Sequence, residues 1–236
     1  MTPSSPASVD ASIAERFAWV RARIDAAARA SGRDPANVTL VAVSKTQEPV
    51  AIEAALATGQ SVFGENRVQE AQGRWGTRRS HLPDLQLRLI GPLQSNKAED
   101  AVALFDVIET LDRPKLARAL ADAIQKTGRR PSLLIQVNTG AEPQKAGVLI
   151  PGVIDFLTVA RETFGLKIDG LMAIPPVAED AVFHFRRLSE IADDQGLTVL
   201  SMGMSGDYEA AIREGATHVR VGSALFGERK ALPGSL

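Results

Sequence analysis

Three lysines stand where a chain could offer an amine to a ligand: Lys45 at the end of the run VTLVAVS, Lys97 after LIGPLQSN, and Lys145 in the polar stretch NTGAEPQK. A lysine that ends an apolar, β-branched run can be partly stripped of water, which lowers its pKa and frees the amine to condense with an aldehyde. Position leaves the three amines as rivals, and a solvent-facing lysine is the plainer role for each. Further on, Met204-Ser205-Gly206-Asp207 precedes a helical pattern, and Gly222-Ser223 follows a strand-like run. Backbone N–H groups of Gly206 and Asp207 with the Ser205 hydroxyl, joined by Gly222 and Ser223, would cradle a phosphate. Asp207 works against this unless its carboxylate points away from a dianion. Helix capping by Ser205 and Asp207 is the competing use of the same residues.

For these groups to meet, the elements carrying them must converge. Apolar residues Ile13, Phe17, Val20 and Ile24 recur at helical spacing and predict a helix from Val9 to about Ala30, ahead of the first strand. Near-continuous apolar runs then alternate with helical patterns. Strands are expected at 38–44, 61–63, 86–90, 106–109, 132–137, 167–172, 197–201 and 217–221, with helices at 49–57, from about Glu65, through Lys97, from Pro114, and over 153–164 and 183–191. Eight strand-helix units joined by right-handed crossovers close into a (β/α)8 TIM barrel. The open doubly wound alternative lacks its Gly-rich fingerprint after the first strand. Residues 1–8 are expected as a flexible tail and 9–236 as one domain.

In such a barrel the chemistry sits at the C-terminal ends of the strands, and the two last loops are frequent phosphate sites. Lys45 is then expected at the same face, across the barrel from the phosphate. Alternation along THVRV puts Val219 and Val221 on one face and His218 and Arg220 on the other. If the valines meet the outer helices, Arg220 points inward beneath the cradle.

Composition removes several classes of function. With 27 basic and 28 acidic residues interspersed, the net charge is -1, and no positive field favours nucleic acid. The absence of cysteine removes disulfides, thiolate metal sites and a catalytic thiol, in keeping with a cytoplasmic protein. No apolar stretch approaches the ~18 residues of a membrane span.

Six blocks, VAVSKT (41–46), FGENRVQEA (63–71), LIGPLQSNK (89–97), GLMAIP (170–175), GMSGDYEAAI (203–212) and VRVGSALFG (219–227), resemble the pyridoxal phosphate homeostasis protein family in order along nearly the whole chain. The resemblance implies an alanine-racemase-like barrel (the type III fold of pyridoxal phosphate proteins) without a C-terminal β domain, carrying pyridoxal 5'-phosphate as a Schiff base on Lys45. It implies Ser205, Gly222 and Ser223 at the phosphate, Arg220 and Asn66 close to the cofactor, and Lys145 as an accessory position; Met204 and Gly206, in the loop beside Ser205, are expected as further accessory positions. Gln47 stands where relatives often have a second lysine, Arg88 and Leu89 where they often have a histidine before the glycine, and no lysine follows Lys230. Transfer routes through those groups are therefore not carried over.

A carrier that buffers pyridoxal phosphate and supplies it to apoenzymes is expected, because such a role needs only reversible capture and release, and a monomer is expected because the closing domain that makes the usual dimer contact is missing. A racemase-like enzyme is the alternative, and it needs a second acid/base group opposite the lysine and a closing domain. One tyrosine and three histidines offer no obvious candidate. A cofactor-free aldolase of the lysine type is a third class, distinguished by a colourless protein.

Overall fold

The computed structural model describes residues 11–227; the expected tail at 1–8 and Lys230 lie outside them. The first helix, α1 (Ile13–Ala30), begins with a capping box: the Ser12 hydroxyl accepts from the Glu15 N–H while the Glu15 carboxylate accepts from the Ser12 N–H. Its buried stripe of Phe17, Val20, Ile24 and Ala28 faces the barrel wall.

The expected alternation follows. The elements are β1 (Thr39–Val43), α2 (Pro49–Ala57), β2 (Val62–Glu65), α3 (Val68–Trp75), β3 (Gln86–Leu89), α4 (Ala98–Leu104), β4 (Val107–Leu111) and α5 (Pro114–Thr127). Then come β5 (Ser132–Asn138), β6 (Val148–Leu149), α6 (Val153–Thr158), β7 (Ile168–Ala173), α7 (Ala181–Asp194), β8 (Val199–Ser201), α8 (Tyr208–Arg213), β9 (His218–Val221) and α9 (Ser223–Phe226). Eight strands pair in parallel around a ring, β1-β2-β3-β4-β5-β7-β8-β9, and β9 closes it on β1. Because α9 has a single turn, α1 covers the wall there, packing on α2, α8 and α9, with Phe17 edge-to-face on Phe226 at 5.9 Å.

Four details differ from the sequence expectation. Glu65, expected at the start of a helix, is the last residue of β2, and α3 begins only at Val68. The two-residue β6 was not expected; it pairs with Val137 and Asn138 at the end of β5, beyond the last β4 partner at Ile135. Lys97 lies in a 3-10 turn, Ser95–Lys97, that precedes α4. The helix expected over 153–164 widens into a π turn at Val159–Thr163.

Strand parity sorts the core. Leu87, Leu89, Leu133, Ile135, Leu171, Val219 and Val221 join the large cluster between sheet and helices. A separate small cluster of Val107, Leu134 and Met172 belongs to the opposite parity and fills part of the barrel interior. The wall is closest at Gly170, where an added Cβ would lie 1.9 Å from the Val199 carbonyl oxygen and 2.6 Å from its Cβ. Gly170→Ala is expected to push β7 off β8 and lower stability by about 2–3 kcal/mol, read as an earlier urea midpoint.

Candidate functional site

Lys45 leaves the end of β1 half-buried, in a turn fixed from below. Ser44, fully buried, donates its hydroxyl to Glu65 Oε1 at 2.7 Å. Glu65, also fully buried, accepts from Arg74 Nη1 at 2.9 Å on both oxygens and from Trp75 Nε1 at 2.9 Å. The chain then reverses at Thr46, whose φ of 63° lies in the left-handed region, and Gln47 N–H returns to the Ser44 carbonyl at 3.1 Å. Lys45 therefore stands on a turn tied to β2 and α3, and its backbone has little freedom.

The loops after β8 and β9 form the second part. Ser205 Oγ accepts from Gly222 N at 3.3 Å and from Ala224 N at 3.4 Å, so two backbone donors converge on one oxygen and join the loops. Ser223 is exposed between them, while Met204 and Gly206 are exposed beside Ser205. Asp207 does not face the cradle unpaired: its carboxylate accepts from Met204 N at 2.6 Å and closes its own loop.

The register of β1 with β9 decides how the two parts meet. Val41 pairs with Arg220 and Ala42 with Val221, so Gly222 comes beside Val43, whose Cβ would be 3.5 Å from an added Gly222 Cβ. Lys45 and the cradle leave neighbouring strands at one end of the barrel. The expected placement across the barrel is corrected: closure of the ring makes the first and last strands neighbours. Asn66, half-buried, follows β2 on the other side of Lys45. Its backbone is held by Gly91, where an added Cβ would lie 2.3 Å from the Asn66 carbonyl oxygen.

Arg220 points inward, as parity predicts, and is 3% exposed. Its Nη1 donates to Ser201 Oγ at 2.8 Å and its Nη2 to the Ala173 carbonyl at 2.9 Å. Ser201 donates onward to Glu109 Oε2 at 2.5 Å, and Glu109 Oε1 accepts from Arg88 Nε at 2.5 Å. Burial opposes ionisation of Glu109, but Arg88 and Arg220, helped by the Ser201 hydroxyl, hold its carboxyl below the usual carboxylate range. Burial pulls the Arg220 guanidinium down, against Glu109 and Asp207, which push it up. His218, one turn of the pleat below Arg220, is pushed down to about 3 by burial and by Arg88, with Glu109 opposing, so it is neutral at working pH. Two guanidiniums and one carboxylate leave a net positive charge in the barrel beneath the mouth.

The other amines are engaged on their own loops. Lys97 pairs with Asp100 at 3.4 Å. Lys145, in the loop after β5, donates to the Pro175 carbonyl at 3.0 Å and pairs with Glu142 at 2.5 Å. In the ring β5 lies opposite β1, so Lys145 faces the mouth from the far side.

A model of the alanine racemase N-terminal domain matches residues 17–230. A pyridoxal phosphate homeostasis protein of Pseudomonas aeruginosa is 46% identical over 226 residues, covering 92% of this chain and 96% of the relative. The chain belongs to this family. PipY of Synechococcus elongatus, solved with pyridoxal phosphate bound, is 38% identical with a TM-score of 0.78, over 92% of this chain and 100% of that one. An alanine racemase of Clostridium difficile shares the fold at 13% identity and a TM-score of 0.64, over 89% of this chain but 57% of the racemase.

Family membership agrees with the barrel and with the order of the six blocks. Two features were missed from sequence alone. One is the Ser44–Glu65–Arg74 anchor beneath Lys45. The other is the Arg88–Glu109–Ser201 chain behind Arg220. Both had a signal: Arg88 alternates with Leu87 and Leu89, and Glu65 ends an apolar run, so each charge belongs to the buried interior.

Proposed function

We propose that this protein holds pyridoxal 5'-phosphate as a Schiff base on Lys45 and serves its intracellular homeostasis, storing the cofactor and releasing it to apoenzymes. The observation that carries the proposal is the β1–β9 register, which sets a half-buried amine beside two loops whose backbone donors converge on Ser205 Oγ. That donor set suits an anionic phosphate, and the adjacent amine suits an aldehyde on the same molecule. When bound, the cofactor supplies an aldehyde that captures amines.

In this arrangement Ser205, Gly222 and Ser223 hold the phosphate, Arg220 supports the ring from the barrel floor, and Asn66 borders it. Met204, Gly206 and Lys145 line the mouth as accessory positions. The binding of pyridoxal phosphate by PipY, a family member over its whole length, supports the assignment of the ligand.

Carriage rather than catalysis is favoured by where the remaining acid/base groups lie. His218 is in the barrel interior, and His184 is buried on α7 against Glu179 at 3.1 Å. His81 is in the turn before β3, and Tyr208 is buried in the outer core. None of these reaches the mouth to serve as the second base that racemisation requires. Among the described residues no helix is long and apolar enough to cross a membrane. Our proposal places the protein in the cytoplasm as a monomer.

Borohydride reduction followed by peptide mass analysis tests the attachment. The cofactor mass is expected on the peptide containing Lys45; a quantitative adduct on Lys97 or Lys145 would refute the assignment. Steady turnover of an amino acid by the purified protein, abolished together with the adduct, would replace the carrier with a racemase-like enzyme.

A further inference from the structure

Arg88 and Glu109 are both buried charges inside the barrel, 2% and 0% exposed. A buried ion pair contributes little net stability, because removing two charges from water costs about as much as their attraction returns. Arg88 carries a further cost, since its Nη2 is buried without a hydrogen-bond partner among the described residues. Apolar side chains already fill the interior at Val107, Leu134 and Met172, so packing alone does not call for this pair.

We infer that Arg88 and Glu109 are positioning residues that set, through their combined charge with Arg220, how readily the Lys45 ammonium gives up its proton. The step is a simple dissociation: the N–H bond breaks, the electron pair stays on nitrogen, and the proton leaves to solvent, producing the neutral amine that can add to an aldehyde. Lys45 lies four residues beyond Val41, the β1 partner of Arg220, which is at most about 13 Å along the chain. At about 10 Å and an effective dielectric near 20, one unit charge moves such an equilibrium by about one pH unit.

Several of the other charged groups around the mouth and floor are paired, Arg113 with Asp112 and Arg67 with Glu70 among them. Glu65 is neutralised by Arg74, Glu142 by Lys145, and Asp207 lies in its loop near Arg220. His218 is neutral above about 3. The interior sum of Arg88, Arg220 and Glu109 is +1. It becomes +2 in Glu109→Gln, 0 in Arg88→Met, and returns to +1 in the double variant.

Cofactor-free protein is acetylated competitively across a pH series, and the labelling of the Lys45 peptide is followed by mass, with the Lys97 and Lys145 peptides as internal references. The Lys45 midpoint is expected to fall by about one pH unit in Glu109→Gln, to rise by a similar amount in Arg88→Met, and to return close to wild type in the double variant. Both single variants lose the same ion pair, so a purely structural role would shift both midpoints in one direction or neither. Either of those results overturns the inference. If Glu109→Gln does not fold, Arg88→Met and the double variant decide it: a midpoint unmoved in the first, or displaced in the second, defeats it. The inference rests on Lys45 being the working amine, but acetylation needs no cofactor. A borohydride adduct on another lysine would defeat the proposed function and leave the charge effect measurable.

Discussion

Lys45→Ala is expected to abolish both the visible Schiff-base absorbance after addition of pyridoxal phosphate and the borohydride-fixed mass, while leaving the cofactor-free protein folded. The residue lies at the rim, half-buried, and the turn beneath it is held by Ser44, Glu65 and Arg74. Stability without cofactor is accordingly expected to change by no more than about 1 kcal/mol. With cofactor the difference is large. A ligand present at a hundred times its Kd stabilises the folded state by about 2.7 kcal/mol, and the variant should lose most of that increment, because the cradle alone retains only the phosphate contact. Neither Lys97 nor Lys145 is expected to substitute, since one is paired with Asp100 in the turn before α4 and the other is fixed between Glu142 and the Pro175 carbonyl across the barrel. Thermal melts with and without pyridoxal phosphate, run beside the absorbance spectrum, measure both effects. A variant that still colours and still gains the full stabilisation would place the attachment elsewhere.

Much of this was legible in the residues because a parallel barrel writes its strands as continuous apolar runs covered on both faces. The runs beginning at Thr39, Gln86, Ser132 and His218 announced their strands to within a residue or two, and the alternation of Val219 and Val221 with Arg220 gave the inward guanidinium. What remained hidden depends on contacts between segments far apart in the chain. The Glu109–Ser201 bond spans 92 residues, and no local pattern reports it. The placing of Gly222 beside Val43, two residues before Lys45, is likewise a product of ring closure, which only the β1–β9 register reveals. The short β6 depends on where β4 stops, a tertiary event with no local signature.

Acidification is expected to destabilise the fold well before its surface carboxylates are neutralised, and His218 is the reason. The folded protein keeps this imidazole neutral down to about 3, whereas the unfolded chain protonates it near 6.5. Between those values the unfolded state binds the extra proton, so stability rises with pH and is lost as pH falls from about 6.5 toward 3. At pH 4 the loss amounts to about 3 kcal/mol. The physical cause is burial beside Arg88 and Arg220: a protonated His218 would add a second uncompensated positive charge to an interior that has only Glu109 to balance it. Glu109 extends the effect to lower pH. Its folded pKa is depressed, so its contribution is complete above the ordinary carboxylate range and disappears as pH falls through the folded value. Urea denaturation at pH 7, 5.5 and 4 separates the two groups, with the two lower values being roughly the window in which histidine linkage dominates. His218→Gln, neutral throughout, is expected to be less stable than wild type at pH 7 because it disturbs the contact with Thr217, yet to lose about 3 kcal/mol less on going to pH 4. Parallel wild-type and variant profiles over that range would show that the imidazole is hydrated when protonated and that the barrel floor is more open to water than its burial implies.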